Sequence, residues 1–502
     1  MATFDLLIDD RSLVAHPEGV ALRLGLPWYR SLWLSAVNTV TLSLDGAEIP
    51  AERLSFELGG VRYSIEELRE QSETLWFLQD KALLVAKLDQ PVAAGTSVHV
   101  RVTSDLSVIY MQIKPQLYVP NVVTIDRDLV VQESAWTPAP AQVSQAAEAP
   151  AYDAAPAAEG LPFKLGLTLY SATAEWATGD YDMAGLLDRV AELGIGPGIE
   201  IVASQTLRSY PDVDDDFERT WRSAFDRHGF DASSFGANLD MGRRRDRDMT
   251  EDEEFEFTER LFRSAKRLGF PLVRIQSAKE GLLRRLVPLA EELELQMAYE
   301  IHAPHGPNTE VIRKVREVYA EVDSPLLGFV ADFSSTMTAM APTLLRAVRR
   351  MGLDDEAVDT MQRIWRTDAP MHERNEEFLG YLRGRGIDPN VLGPFQRLAF
   401  NMQGNVAAED WRDIMPQILH VHAKFYDIDE EGNEPAIDYP KLTEIFAAGG
   451  YRGYFSSEWE GHAFAAKGEV DPLVLVRRQH DLIRRTAAAL QSTAALPAQP
   501  SA

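Results

Sequence analysis

Leu295-Gln296-Met297-Ala298-Tyr299-Glu300-Ile301-His302-Ala303-Pro304-His305-Gly306 begins as a short apolar strand and ends as a loop carrying an acid and two imidazoles. Side chains along a strand alternate faces, so Glu300 and His302 point the same way. A carboxylate beside an imidazole at a strand end can hold a metal, or hold it and move a proton. Taken alone, the pair reads equally well as two solvated loop residues. Three later strand ends repeat the pattern and tip the reading toward a site.

Working outward, short apolar strands alternate with amphipathic helices from Phe163 onward. The first two strands are Lys164-Leu165-Gly166-Leu167-Thr168-Leu169 and Gly198-Ile199-Glu200-Ile201-Val202. A third spans 233–239, and Leu272-Val273-Arg274-Ile275-Gln276 is the fourth. The quoted stretch supplies the fifth, and Leu327-Gly328-Phe329-Val330-Ala331-Asp332 the sixth. Ile418-Leu419-His420-Val421-His422-Ala423-Lys424 and Gly453-Tyr454-Phe455-Ser456-Ser457-Glu458 complete the set. Helices are expected over 184–193, 214–228 and 250–268, with Gly194, Gly229 and Gly269 as stops and Thr250-Glu251-Asp252-Glu253 as a capping box. Eight strands with helices between them predict an α/β fold, a (β/α)8 TIM barrel. One outsized connection, between strands six and seven, reads as helices near 341–349, 356–365 and 373–382. A connection that long at the catalytic end suits a lid or pocket wall.

Active sites of such barrels lie at the C-terminal strand ends. Reading off those ends gives Glu300, Asp332, His422 and Glu458 from four consecutive strands. Three carboxylates and an imidazole suit a hard or borderline divalent ion such as Mn2+, Mg2+ or Co2+. Acids there can also be merely solvated or paired with Arg. His422 competes with His420, which shares its face but sits deeper. Glu458 competes with Glu460, but Glu458 ends the apolar run. Gly194-Ile195-Gly196-Pro197-Gly198 precedes its strand instead of following it, so it is not a phosphate-binding loop. No P-loop and no Gly-x-Ser-x-Gly elbow is present.

Ahead of the barrel, residues 1–135 read as a small β-sandwich. Val40-Thr41-Leu42-Ser43-Leu44 alternates into an Asp45-Gly46 hairpin turn. Ser97-Val98-His99-Val100-Arg101-Val102 and Leu106-Ser107-Val108-Ile109-Tyr110 are expected strands, with one short helix over 64–70. Trp28, Tyr29, Trp33 and Trp76 are either core or a docking face. Residues 136–162, rich in Ala, Pro and Gln, form a linker with a relaxed span of about 25–30 Å. The barrel occupies 163–488, and a disordered tail is expected over 489–502.

The 502 residues exceed one ordinary domain. A formal net charge of -27 disfavours nucleic acid, whose phosphates need clustered Lys and Arg. With no Cys there is no disulfide, thiolate site or Cys nucleophile. No signal peptide and no membrane span are visible, so a cytoplasmic enzyme without a membrane partner is expected.

On these residues the barrel half resembles the xylose-isomerase-like sugar isomerases and epimerases. Their Glu, Asp, His-x-His and Glu pattern matches Glu300, Asp332, His420-Val421-His422 and Glu458. More narrowly, the whole chain resembles the bacterial C-glycoside deglycosidases, built from a metal-binding barrel α subunit and a β-sandwich β subunit. The β likeness rests on Leu24-Gly25-Leu26-Pro27-Trp28-Tyr29-Arg30, on 40–46 and on Tyr63-Ser64-Ile65-Glu66-Glu67-Leu68. The α likeness rests on 300–304 and Ser457-Glu458-Trp459-Glu460-Gly461. Here the two are fused, β first.

The resemblance implies a carbon–carbon lyase acting on a 3-oxo-C-glycoside with an aromatic aglycone, such as a flavonoid. It implies a divalent cofactor, Mn2+ foremost, an upstream sugar 3-oxidoreductase as pathway partner, and a homo-oligomer. The C2 proton, made acidic by the C3 ketone, needs a base. His302 is the first candidate and His305 the second, since a neutral imidazole titrates near pH ~6.5. Lys424 either orients sugar oxygens or forms a surface salt bridge. A sugar isomerase or epimerase would use the same metal and proton abstraction but leave the sandwich idle. A carbohydrate-binding protein would leave the four convergent ligands unexplained.

Overall fold

The computed structural model describes residues 7–133, 161–392 and 399–494. The expected linker lies almost wholly outside these residues. Eight parallel strands close a barrel in chain order. They are β1 (Lys164–Thr168), β2 (Gly198–Val202), β3 (Asp231–Gly236), β4 (Leu272–Ile275), β5 (Gln296–Ile301), β6 (Leu327–Asp332), β7 (Ile418–Phe425) and β8 (Tyr454–Trp459). Closure comes from β1, which pairs with β2 on one side and β8 on the other. Every residue of β2 and of β6 is buried, because parallel strands are covered by helices outside and packed side chains inside.

Local sequence sets the boundaries. Thr250 and Glu253 form the reciprocal capping box that opens the helix Glu251–Arg267. Asp214 accepts the Phe217 N–H at 2.8 Å to open Asp215–His228, and Gly229 closes it in the left-handed region at φ 68°. The long β6–β7 connection carries helices Pro342–Arg350, Asp355–Trp365 and Met371–Gly384. Its return segment lies against the catalytic end: the Val406 N–H donates to the Ser335 carbonyl at 3.0 Å. Any Cβ on Gly306, in the loop after β5, would meet Val406 at 2.7 Å. Among the described residues no helix is long and apolar enough to cross a membrane.

The N-terminal part holds three antiparallel sheets, of five, four and two strands. Ser97–Lys114 is one long strand where two were expected, because alternate residues stay buried through the polar Thr103-Ser104-Asp105. The expected helix at 64–70 shrinks to a 3-10 turn, Glu67–Glu70, since Val61–Ser64 is taken up as a strand. The last helix runs from Pro472 to Ala494, past the expected start of the tail at 489. Ala487-Ala488-Ala489-Leu490 are strong helix formers and simply continue it.

The sheets dock on the barrel through polar contacts that are themselves buried. Arg30 pairs with Asp240, and both side chains are fully buried. Trp33 Nε1–H donates to the other Asp240 oxygen at 2.9 Å. Gln205 donates to the Tyr29 carbonyl at 2.9 Å, and the Tyr29 and Tyr170 rings meet edge to face at 5.6 Å. Tyr29 and Trp33 thus belong to the docking face. Trp28 donates its indole N–H to Tyr110 within the sandwich, and Trp76 packs on Phe56 in its core.

His480, on the terminal helix, is buried and hydrogen-bonds the Gly166 carbonyl through Nε2 at 3.0 Å. Burial, aided by Arg484 and Arg477, lowers it from 6.5 to about 3. The unfolded chain therefore takes the proton first, so stability is complete above about pH 6.5 and falls as the pH drops toward 3. At pH 5 this one group costs about 2 kcal/mol, at about 1.4 kcal/mol per unit. His480→Gln keeps a donor but cannot titrate there. Its loss of stability in urea between pH 7 and pH 5 is expected to be smaller than wild type's by about that amount. An equal loss in both proteins contradicts this.

Candidate metal centre

Four consecutive barrel strands deliver the ligand set. Register places Asp332 of β6 beside His422 of β7, and Lys424 of β7 beside Glu458 of β8. One ligand atom each from Glu300, Asp332, His422 and Glu458 lies within 4.8 Å of the others. His422 Nδ1 is central: 2.6 Å from Glu300 Oε1, 3.0 Å from Glu458 Oε2 and 3.9 Å from Asp332 Oδ2. The backbone N–H of Ser334 donates to Asp332 Oδ1 at 2.7 Å, leaving Oδ2 for the centre.

Three buried atoms of this set, Asp332 Oδ2, His422 Nδ1 and Glu458 Oε2, make no well-formed hydrogen bond, although the Lys424 ammonium lies beside both carboxylate oxygens. Buried polar atoms without a hydrogen bond are rare and ask for an explanation. A divalent cation among three carboxylate oxygens and one imidazole nitrogen supplies it, and the donor set suits hard or borderline ions. The four residues therefore fit a metal.

Charge surrounds the centre. Arg274 of β4 donates to Glu300 Oε2 at 2.9 Å. Burial pushes the Glu300 carboxyl up, but Arg274 and His422 outweigh it and hold it well below the usual range. Lys424 is buried, so it forms no surface salt bridge. Its ammonium lies 3.2 Å from Asp332, 3.0 Å from Glu458 and 2.8 Å from Glu460. Burial opposes its charge, and these three carboxylates restore it. Glu460 also accepts a hydrogen bond from Tyr170 at 3.2 Å.

Glu300 and His302 stand at the open side, with side chains 18% and 22% exposed, while Asp332 is fully buried. His302 Nδ1 is 2.7 Å from the Ala303 carbonyl, which can only accept, so Nδ1 carries the hydrogen. Nε2 faces inward, 3.7 Å from Asp332 Oδ2 and 4.0 Å from Glu460 Oε2. Burial alone would lower this imidazole, but Asp332 and Glu460 carry it up to about 9. His305 is tied to His302 through a backbone hydrogen bond of 3.0 Å. Its ring joins none of the ion pairs of the centre, and burial followed by His302 lowers its pKa.

The structure thus brings together Glu300, Asp332, His422, Glu458, His302 and Lys424 as the sequence suggested, and leaves His305 at the rim. It adds Glu200, Arg274, Glu460 and Tyr170. The available signal for Glu200 and Arg274 was a lone charge within an apolar barrel strand. Their partners lie on other strands, which the sequence alone does not pair. Glu460 stood in the sequence as the rival of Glu458, and both side chains enter the cluster.

Four candidate metal ligands thus stand toward the C-terminal strand ends of a closed barrel. Residues 187–490 match the family described as xylose isomerase-like TIM barrel. Residues 11–110 match the family C-glycoside deglycosidase beta subunit. A C-glycoside deglycosidase alpha subunit of Arthrobacter globiformis is 58% identical over 326 residues, 65% of this chain and 93% of that protein. A beta subunit from the same organism is 50% identical over 131 residues, 26% of this chain and 99% of that protein. The 3'-dehydrocarminate deglycosidase alpha subunit of a Microbacterium species is 38% identical, over 64% of this chain and 94% of that protein. The chain belongs to the C-glycoside deglycosidase family, with sequences of both subunit types in one polypeptide.

Proposed function

We propose that the protein is a metal-dependent C-glycoside deglycosidase, a lyase that cleaves the C–C bond between a 3-oxo-glucosyl group and an aromatic aglycone. The observation that carries this reading is the convergence of Glu300, Asp332, His422 and Glu458, three of whose buried atoms make no well-formed hydrogen bond, with His302 Nε2 turned toward the same cluster. Glu300, Asp332, His422 and Glu458 would hold the ion, Mn2+ foremost. A divalent ion there supplies Lewis acidity toward the 3-oxo oxygen of the sugar.

The chain's own groups supply the proton chemistry. The C3 ketone makes the C2 proton acidic, and His302 Nε2 is the base that takes it. Nδ1 is occupied by the Ala303 carbonyl, so the lone pair belongs to Nε2. A cation held by Asp332 would offset the larger of the two carboxylate fields on His302 and would favour the neutral imidazole. The C2–H electron pair becomes the C1=C2 bond as the bond from C1 to the aglycone breaks. The departing pair remains on the aromatic carbon, which takes up a proton. The products are an unsaturated 3-oxo sugar and the free aromatic compound. Lys424, its charge fixed by three carboxylates, is placed to orient sugar oxygens. Tyr29 of the sandwich packs on Tyr170, which hydrogen-bonds Glu460 beside the centre; in this reading the sandwich contributes no catalytic group. Because the substrate is already oxidised at C3, a sugar 3-oxidoreductase must act upstream.

The barrel by itself equally suits a sugar isomerase or epimerase, a reading that gives the sandwich no task. Mass analysis of products from a 3-oxo-C-glucoside and from a free ketose separates the two. Release of the aromatic aglycone is expected. Interconversion of ketose isomers, with the C-glycoside left intact, would overturn the proposal.

A further inference from the structure

Directly behind the metal centre lies a second cluster, Glu200, His420 and His422, that the reaction does not use. Glu200 is in the middle of β2, across the barrel from β7, and is 1% exposed. Its Oε2 is 2.9 Å from His420 Nε2 and its Oε1 is 3.0 Å from His422 Nε2. Each oxygen of Glu200 thus faces one imidazole Nε2 at hydrogen-bond distance, which makes the carboxylate the acceptor of two Nε2–H groups.

The cluster resembles a second cation site by composition, yet its atoms are already satisfied. Both Glu200 oxygens and His420 Nε2 are hydrogen-bonded. With Nε2–H of His422 committed to Glu200, the lone pair of neutral His422 lies on Nδ1, the atom facing Glu300, Asp332 and Glu458. We propose that Glu200 is a positioning residue that fixes the tautomer and ring orientation of His422, with His420 anchoring its other oxygen. This accounts for two histidines in His420-Val421-His422 where the centre takes one. The inference rests on the metal reading above. Partners of this kind are worth about 10–100-fold in metal affinity.

The test is Mn2+ binding, followed by the paramagnetic resonance of free Mn2+, on the full chain after chelation. Wild type is expected to bind one ion per chain. Glu200→Gln, whose amide offers one acceptor to two donors, is expected to bind about 10–100-fold more weakly. The chelated variant should melt near chelated wild type, while the rise in Tm on adding Mn2+ shrinks. The visible spectrum of the Co2+ form should change as well. His420→Gln, which leaves the Glu200–His422 bond in place, should weaken binding by no more than about threefold. Should Glu200→Gln not fold, Glu200→Asp withdraws the acceptor by one methylene and is expected to show the same loosening. Unchanged Mn2+ affinity and Co2+ spectrum in the Glu200 variants overturn the inference and spare the metal reading. Two ions per wild-type chain would instead make the rear cluster a site. No binding by wild type removes both proposals.

Discussion

Glu300→Gln is expected to lose the divalent ion and the activity together. Glu300 Oε1 is 2.6 Å from His422 Nδ1, and its Oε2 is held by Arg274 at 2.9 Å. The amide keeps the shape but removes one of three negative charges from the set. Its NH2 group must then face either Arg274, which only donates, or the ion position, where a ligand has to offer a lone pair. Neither orientation serves both neighbours, and Arg274, 8% exposed, loses its hydrogen-bonded anion. Lewis-acid stabilisation is worth several kcal/mol, so loss of the ion costs about 10³-fold or more in rate. Metal content after dialysis, measured beside aglycone release, checks both halves. A Glu300→Gln protein that keeps one ion and its rate contradicts the assignment.

His302→Ala is expected to separate the two properties: the ion stays and the rate falls by about 10²–10⁴-fold, the range for loss of a general base. His302 is outside the four-ligand set, and its Nε2 is 3.7 Å or more from the carboxylates around it. It is also one of the two cluster side chains that retain access from the open side, at 22%. Exchange of the C2 proton of a 3-oxo-C-glucoside in D2O isolates the step. The variant should wash deuterium into C2 far more slowly than wild type. Exchange at the wild-type rate would remove His302 as the base and turn attention to His305, whose own replacement by Ala is expected to leave C2 exchange nearly unchanged.

Much of the barrel was readable because most of its strands are short, largely buried runs rich in apolar residues, and in β5 to β8 an acid or a histidine stands at or near the C-terminal end. That is why the ends of β5 to β8 gave Glu300, Asp332, His422 and Glu458 directly. The caps at Thr250 and Asp214 and the stop at Gly229 were equally local signals. What stayed hidden depends on contacts across the barrel. Glu200 and Arg274 look like stray charges within β2 and β4 until β7 and β5 are closed against them. Lys424 could be read as a surface cation because burial of its ammonium arises from Glu458, Glu460 and Asp332 converging on it. The docking face was only partly legible: Tyr29 and Trp33 meet the barrel, while Trp28 hydrogen-bonds within the sandwich, and all three read alike as aromatics in the sequence. The polar break at Thr103-Ser104-Asp105 suggested two strands, and the unbroken alternation of burial made one.

Elimination of the aglycone is expected to run at a single divalent centre formed by Glu300, Asp332, His422 and Glu458. Aglycone release from a 3-oxo-C-glucoside by the chelated full-length protein, followed as Mn2+ is titrated back, tests it most directly. Negligible release without the ion, a linear rise, and a break at one equivalent per chain are expected. Full release in the chelated protein, with no response to added Mn2+, Mg2+ or Co2+, would contradict it.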